Sequence, residues 1–314
     1  MDLNNGWVNM ATSFTGSTAM LMRMLRRFAR LFAACAVGLT ALPAAADAGA
    51  LRAKHAELRE QLRTNTYQRA LHIDSAESSD TLKGDVYAVL DHPFKKVSGA
   101  LKDPGQWCDI LILPFNTKYC HPVNGEGGPG LLMRIGRKFD QPVESAFRID
   151  FSWRGIAATH DYFETRMNSK NGPMGTRDYR IQVSAVPLDS GQTFMHLSYS
   201  YGYGIAGRLA MQTYLATVGA DKVGFTVTKQ DAGGHPQLIG GVRGAIERNA
   251  MRYYLAIDAY LDSLGTPAAQ QVEKRIQGWF DATERHARQL REMDRPTYVT
   301  MKRQEYERQQ TMIQ

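Results

Sequence analysis

From Gly84 to Tyr203 the chain is a succession of short runs in which apolar and polar residues alternate. Turn-rich pieces such as NGEGGPG, NSKNGPMG and LDSGQ separate them. DVYAVLD, LLMRIGRKF, SAFRIDFSW, THDYFETRM, TRDYRIQVSAVPL and TFMHLSYSYGY each carry the period of two expected of a strand with one buried face. Strands of a parallel βαβ sheet are buried on both faces and read as continuous apolar runs. The alternation therefore predicts an antiparallel meander, which excludes most α/β folds. Parity assigns the faces. Phe147, Ile149, Phe151 and Trp153 lie opposite Arg148, Asp150 and Ser152, while Met195, Leu197, Tyr199, Tyr201 and Tyr203 lie opposite His196, Ser198 and Ser200. With Tyr179, Ile181, Val183 and Ala185, one apolar face rich in aromatics is expected across the sheet.

A face of that kind needs a cover, and the C-terminal half offers one. GGVRGAIERNAMRYYLAIDAYLDSLG has the strongest helical pattern in the chain, with Ile246, Ala250, Tyr253, Ile257, Tyr260, Leu261 and Leu264 in one arc. Gly265 and Pro267 end it. A second amphipathic helix is expected with Ile276, Trp279, Phe280, Thr283, Ala287 and Leu290 on one side, followed by MKRQEYERQQTMIQ as a polar, frayed helix. Upstream, residues 48–72 read as a charged helix with Leu51, Leu58 and Leu62 in a stripe, and DSAESSDTLKG reads as a polar linker. Pro93 fits the first turn of PFKKVSGALKD, which is expected to stop at Pro104.

Gly202, Gly204 and Gly207 have the G-x-G-x-x-G spacing of a dinucleotide-binding turn. The preceding HLSYSY alternates, however, where that turn requires a strand buried on both faces. The acid that would receive the ribose, Asp231, ends KVGFTVTKQD too far downstream, and no strand–helix alternation follows. The glycines are read as the exit from the sheet into a short helix, 206–217, and no cofactor is expected.

MLRRFARLFAACAVGLTALPAAADA, from Met24, has a basic start with Arg26, Arg27 and Arg30, an apolar run from Leu31 to Leu42, and the small residues Ala44, Ala45 and Ala46. These are the parts of a secretory signal, and the run is short for a membrane span. Export to the periplasm or beyond with cleavage near Ala46 is expected. Lipidation at Cys35 is the alternative, and it would truncate the apolar run. Cleavage removes four arginines and Asp2, lowering the formal charge of +7 by three. That balance gives no support for nucleic-acid binding and is compatible with peripheral contact with an anionic membrane. Cys108 and Cys120 are then the remaining cysteines, and in an oxidising compartment they are expected to close CDILILPFNTKYC with a disulfide. Only His121 lies close by, so a zinc site is not expected.

A strand, a helix, a meander and one long C-terminal helix make an α+β arrangement that resembles the helix-grip fold. This is the START-like (SRPBCC) lipid-binding superfamily, and the resemblance covers about Gly84 to Leu264. WCDILILPFNTKYC and DKVGFTV with GGVRGAIERNAMRYYLAIDAYL are similar to stretches of an exported bacterial branch. The resemblance implies a curved antiparallel sheet wrapped around the helix, with a lipid, sterol or aromatic ligand held between them. Lipid transfer is one activity it implies; an enzyme of cyclase, aromatase or hydrolase type using the same cavity is an alternative. A structural or interaction protein with a filled core is the third reading. The expected layout is a signal peptide at 1–46, helix and linker at 47–82, a START-like domain at 83–265 and a helical extension at 266–314.

Within that frame the expected ligand contacts are Arg243, Glu247, Tyr199, Tyr201, Tyr254, Phe151, Trp153 and Met195. Arg243 falls inside the apolar arc. It either pairs with Glu247 one turn on, or meets an anionic headgroup beside the glycine-rich helix start. Arg248 and Arg252 fall on the opposite side and read as solvated. Arg177 lies at a strand mouth and reads as exposed. No G-x-S-x-G or H-E-x-x-H occurs. His160 and Asp161 are expected on opposite faces of a strand, His196 beside Ser198 on the solvated face, and His235 in a turn. No catalytic residue is assigned.

Overall fold

The alternating runs form one eight-stranded sheet, antiparallel at every pairing, in the order β1-β2-β8-β7-β6-β5-β4-β3. The computed structural model describes residues 42–217, 221–231 and 233–311, so Arg26, Arg27 and Arg30 of the expected signal, and Cys35, lie outside the described residues. The chain divides into two compact units between Asp47 and Ala48, and the larger, Ala48–Gln314, contains the whole sheet. The strands are β1 Leu71–Glu77, β2 Thr81–Leu90, β3 Thr117–Gly125, β4 Gly128–Ile135, β5 Phe147–Ala158, β6 Phe163–Asn171, β7 Thr176–Pro187 and β8 Thr193–Tyr203. Upstream of them lie helices α1 (Leu42–Glu57) and α2 (Arg59–Arg63). Helices α3 (Phe94–Leu101) and α4 (Pro104–Leu111) fill the crossover from β2 to β3. Helix α5 (Ile205–Ala216) follows β8, and a two-stranded hairpin of β9 (Val227–Gln230) and β10 (Pro236–Leu238) leads to the long α6, Gly241–Ser263.

The predicted parity holds except at Phe147, which starts β5 at the sheet's end and is 42% exposed. Ile149, Phe151, Ile181, Val183, Met195, Leu197, Tyr199 and Tyr201 are all buried in one hydrophobic core with Ile246, Ala250, Tyr254 and Ile257 of α6. Helix α6 packs on β1, β2 and β8. Contact is closest at Gly84, where a Cβ would stand 3.2 Å from both the Ala250 Cβ and the Ile246 carbonyl oxygen. Any larger residue there pushes the helix off the sheet. This curved sheet gripping a long helix is the α+β helix-grip fold.

Four expectations are corrected. The segment expected to be the end of a helix and a polar linker contains β1, the sheet's edge strand, which pairs with β2 from Leu71↔Ala88 to Glu77↔Leu82. Leu51, Leu58 and Leu62 of the helices before it are buried as predicted. Pro104 starts a helix instead of stopping one: the Asp103 side chain accepts from the Gly105 amide at 2.7 Å and caps α4. The third correction concerns α6, which is buried on nearly every side. Its far side is covered by α7 (Ala268–Glu284) and by residues 222–226, so Arg248 and Arg252 are 2% and 6% exposed, not solvated. Arg252 donates to Glu292 at 2.6 Å and Arg248 to the Val223 carbonyl at 3.2 Å. Finally, α7 stops at Glu284, Leu290 belongs to the short α8 (Ala287–Leu290), and the polar tail forms α9, Arg295–Thr311, with Tyr298, Met301, Lys302 and Glu305 buried.

The disulfide Cys108–Cys120 ties α4 to β3 with Cα atoms 5.1 Å apart. Its loop is the seat for α9. Tyr298 donates its hydroxyl to the Leu113 carbonyl at 3.0 Å, and Lys302 donates to the Pro114 and Thr117 carbonyls at 2.6 and 2.9 Å.

Candidate ligand-binding site

The inward tyrosines of β7 and β8 meet α6 in one aromatic cluster. Tyr179 stacks on Tyr201 at 5.2 Å between centroids, Tyr199 lies edge-on to Tyr253 at 5.1 Å, and Phe151 approaches Tyr179 edge-on at 6.4 Å. The interior around Tyr199 is thus filled by side chains. Burial pushes the Tyr199 and Tyr201 phenols well above their ordinary range, so both stay protonated and can donate hydrogen bonds.

Towards the β8 end the packing opens. A cavity of about 100 Å³ lies beneath α5, with Leu82, Tyr201, Tyr203 and Val242 as its apolar wall and Glu77, Thr176 and Gln212 as polar groups. Helix α5 forms its roof through Gly207, Arg208 and Met211. The glycine triplet has a structural role here. Gly202 is still paired within β8, opposite Thr81 and Arg177, Gly204 is the residue between the strand and α5, and Gly207 lets the roof approach: a Cβ there would lie 3.1 Å from the Tyr203 Cβ. Arg208 pins the roof by donating to the Ser79 carbonyl, with its guanidinium 5.6 Å from the Tyr203 ring centroid. At the same rim, Arg177 pairs with Asp80 at 2.9 Å.

The expected contacts separate on this geometry. Tyr201 lines the cavity, and Tyr199 stands next to it in the cluster. Phe151 and Met195 are core residues, and Trp153 is partly buried with its indole N–H unpartnered. Tyr254 is buried elsewhere, with the Arg69 guanidinium 5.4 Å from its ring and Arg69 bonded to Asp258 at 2.7 Å. Arg243 and Glu247 meet through Ser75 of β1. Arg243 donates to the Ser75 hydroxyl at 3.1 Å and to its carbonyl at 2.7 Å, and that hydroxyl donates to Glu247 at 2.6 Å. Glu247 also accepts from the Phe225 and Thr226 amides at 2.6 and 3.0 Å. This carboxylate staples residues 225–226 to the helix. The role is hidden in the sequence, where neither β1 nor the 222–226 segment shows its partner. Thr176, Leu82, Val242 and Met211 carry no site signal of their own either; strand parity and helix pattern place them on elements but not beside one another.

The polar candidates for chemistry lie elsewhere. His196 bonds Asp85 at 2.7 Å on the opposite face of the sheet and stacks on Tyr87 at 4.3 Å. Burial raises the Asp85 carboxyl, but hydrogen bonds from His196 and Lys83 more than offset this and hold it below its usual range. His160 and Asp161 sit in the turn 159–162 instead of on a strand, 3.7 Å apart. His235 is in the turn between β9 and β10, as expected. Among the described residues no group of three His, Cys, Asp or Glu side chains could hold a metal, and no helix is long and apolar enough to cross a membrane.

The strand order and the gripped helix define this chain as a helix-grip protein with a small apolar cavity under a helical roof. No protein-family model matches it, and neither does any curated protein. Among solved structures it is similar to truncated norcoclaurine synthase from Thalictrum flavum, at 15% identity over 46% of this chain and 91% of that one, with a TM-score of 0.32. A protein from Arthrobacter aurescens is similar at 17% identity over 62% and 92%, TM-score 0.30. Ara h 8.0201 is similar at 12% identity over 62% and 99%, TM-score 0.32. At such identities and scores, the fold assignment rests on the strand order and register of this chain itself.

Proposed function

We propose that this is a START-like binding protein, exported to the periplasm, that holds a hydrophobic ligand in the cavity beneath α5. The observation that carries the proposal is the cavity's construction: an aromatic and aliphatic wall, a few convergent polar groups, and a helical roof. About 100 Å³ accommodates roughly one aromatic ring or a short chain, whereas drug-sized ligands occupy roughly 300–1,000 Å³. A sterol or lipid therefore requires α5 to lift, releasing the Arg208 contact with Ser79. The outer side of the roof and the turn next to it support a role at a membrane, since Ile205 and Leu209 of α5 and Met174 of the turn 173–175 are 90%, 64% and 70% exposed. Exchange of lipid between membranes is the activity that fits both features. The signal-like N-terminus and the Cys108–Cys120 bridge support export, because such bridges persist in oxidising compartments.

The filled tyrosine cluster favours one rival, a structural protein with no occupant. Calorimetric titration with benzene, a neutral probe of one ring that matches the cavity volume, separates the two. Saturable binding at one site is expected, weakened roughly tenfold or more by Met211→Trp, which fills the cavity from the roof. No saturable binding, or binding indifferent to Met211→Trp, would favour the filled core.

A further inference from the structure

A second and larger concavity lies on the other side of the molecule. Helices α1 and α2 form one wall, the turn between β7 and β8 the other, and the volume is about 650 Å³, within the range that holds a whole small molecule. Its floor is apolar: Leu62 is buried, and Ala56, Ala70, Val89 and Leu188 line it. Its charge leans positive: Arg52, Arg59 and Arg63 face it, against Asp189 as the one acidic lining group, while burial and the neighbouring Arg59 lower the His55 imidazole below its ordinary range. Arg52 is answered by Asp161 at 3.0 Å and Arg63 by Glu60 at 2.8 Å. Arg59 has no hydrogen-bond or ion-pair partner among the described residues.

We infer that this groove is a binding site for an anionic amphiphile, a carboxylate or phosphate monoester on an apolar chain. The chain lies along Leu62, Val89 and Leu188, and the anionic oxygens take the free guanidinium of Arg59 in a charge-assisted, bidentate hydrogen bond. An apolar floor alone would take any hydrophobic molecule; the unanswered arginine at its edge selects the sign of the headgroup. Nucleic acid is disfavoured by the apolar floor. The site is independent of the cavity beneath α5, with which it shares no lining residue.

Isothermal titration of the full chain with monomeric dodecanoate, dodecyl phosphate and dodecyltrimethylammonium tests the assignment. Saturable binding of one or both anions is expected, and whichever binds more tightly identifies the headgroup class; the ammonium compound should not bind. Arg59→Glu should weaken the anion roughly tenfold or more, and Ala56→Trp should block it by filling the floor. Both positions are exposed, so thermal melting should be unchanged in each variant. Met211→Trp should leave this binding intact. The inference is overturned if no anion binds, if the cation binds equally, if Arg59→Glu and Ala56→Trp have no effect, or if Met211→Trp alone removes the binding, which would place the anion beneath α5.

Discussion

Replacing Glu305 by alanine is expected to destabilise the protein by about 3–5 kcal/mol, the range for breaking a buried ion pair. The side chains of Lys118, Lys302 and Glu305 are essentially inaccessible to water. One carboxylate serves both ammonium groups, accepting from Lys118 at 2.9 Å and from Lys302 at 2.6 Å. The remaining donors are used: Lys118 reaches the Phe115 carbonyl at 2.9 Å and the Met301 sulfur at 3.4 Å, while Lys302 holds the Pro114 and Thr117 carbonyls. Without Glu305 two positive charges remain in an apolar seam with no counter-charge. Chemical denaturation at neutral pH measures the loss, and a change below about 1 kcal/mol would contradict the assignment.

The same cluster has a pH signature. Burial, reinforced by the charge of Lys118, lowers the Lys302 ammonium to about 8 despite Glu305. Its folded value lies below that of a free lysine, near ~10.4, so between those values the unfolded chain binds more protons than the folded one. Stability contributed by this residue therefore rises with pH across that window and is lost as pH falls through it. Lys302→Met should flatten that slope.

The second large effect is expected at the disulfide. Cys108→Ala with Cys120→Ala removes a cross-link across a sequence separation of 12, which costs about 3 kcal/mol in the chain-entropy model. The consequence reaches beyond the loop, because its carbonyls are the acceptors for Tyr298 and Lys302, and Phe115 packs on Trp279 at 4.9 Å and Tyr298 at 5.3 Å. Amide exchange in α9 should accelerate together with exchange at 112–118. Equal melting temperatures with and without reductant would sink this explanation of how the C-terminal helices are held.

The sheet is legible because an antiparallel strand with one buried face writes its period into the sequence. Phe151, Met195, Tyr199 and Tyr201 can be placed on one face without coordinates. The long helix is legible from its arc but not from its surroundings. Periodicity treats a helix as having one buried side, so it assigns Arg248 and Arg252 to solvent, although their heads are satisfied by Val223 and Glu292. Strand β1 escapes the pattern because only Leu71 and Ile73 mark its buried face; its third inward residue is the polar Ser75, which gains meaning only from Arg243 and Glu247, 168 and 172 residues away. Helix α9 is legible as a helix but its burial is not: a hydropathy pattern counts Lys302 and Glu305 as surface, while their burial depends on each other and on Lys118. The cavity is half legible. Tyr201 can be aimed inward by parity, but its neighbours Leu82, Thr176, Met211 and Val242 come from four separate elements. The groove containing Arg59 is not legible at all, since its two walls lie more than a hundred residues apart.

Native mass spectrometry of the protein isolated from the periplasmic fraction tests the central claim most directly. The expected species is a chain beginning near Asp47, two hydrogens lighter than its reduced form, carrying a non-covalently bound hydrophobic molecule that Met211→Trp excludes. A bare mass for the wild-type protein, unchanged after incubation with lipid extract, would contradict it.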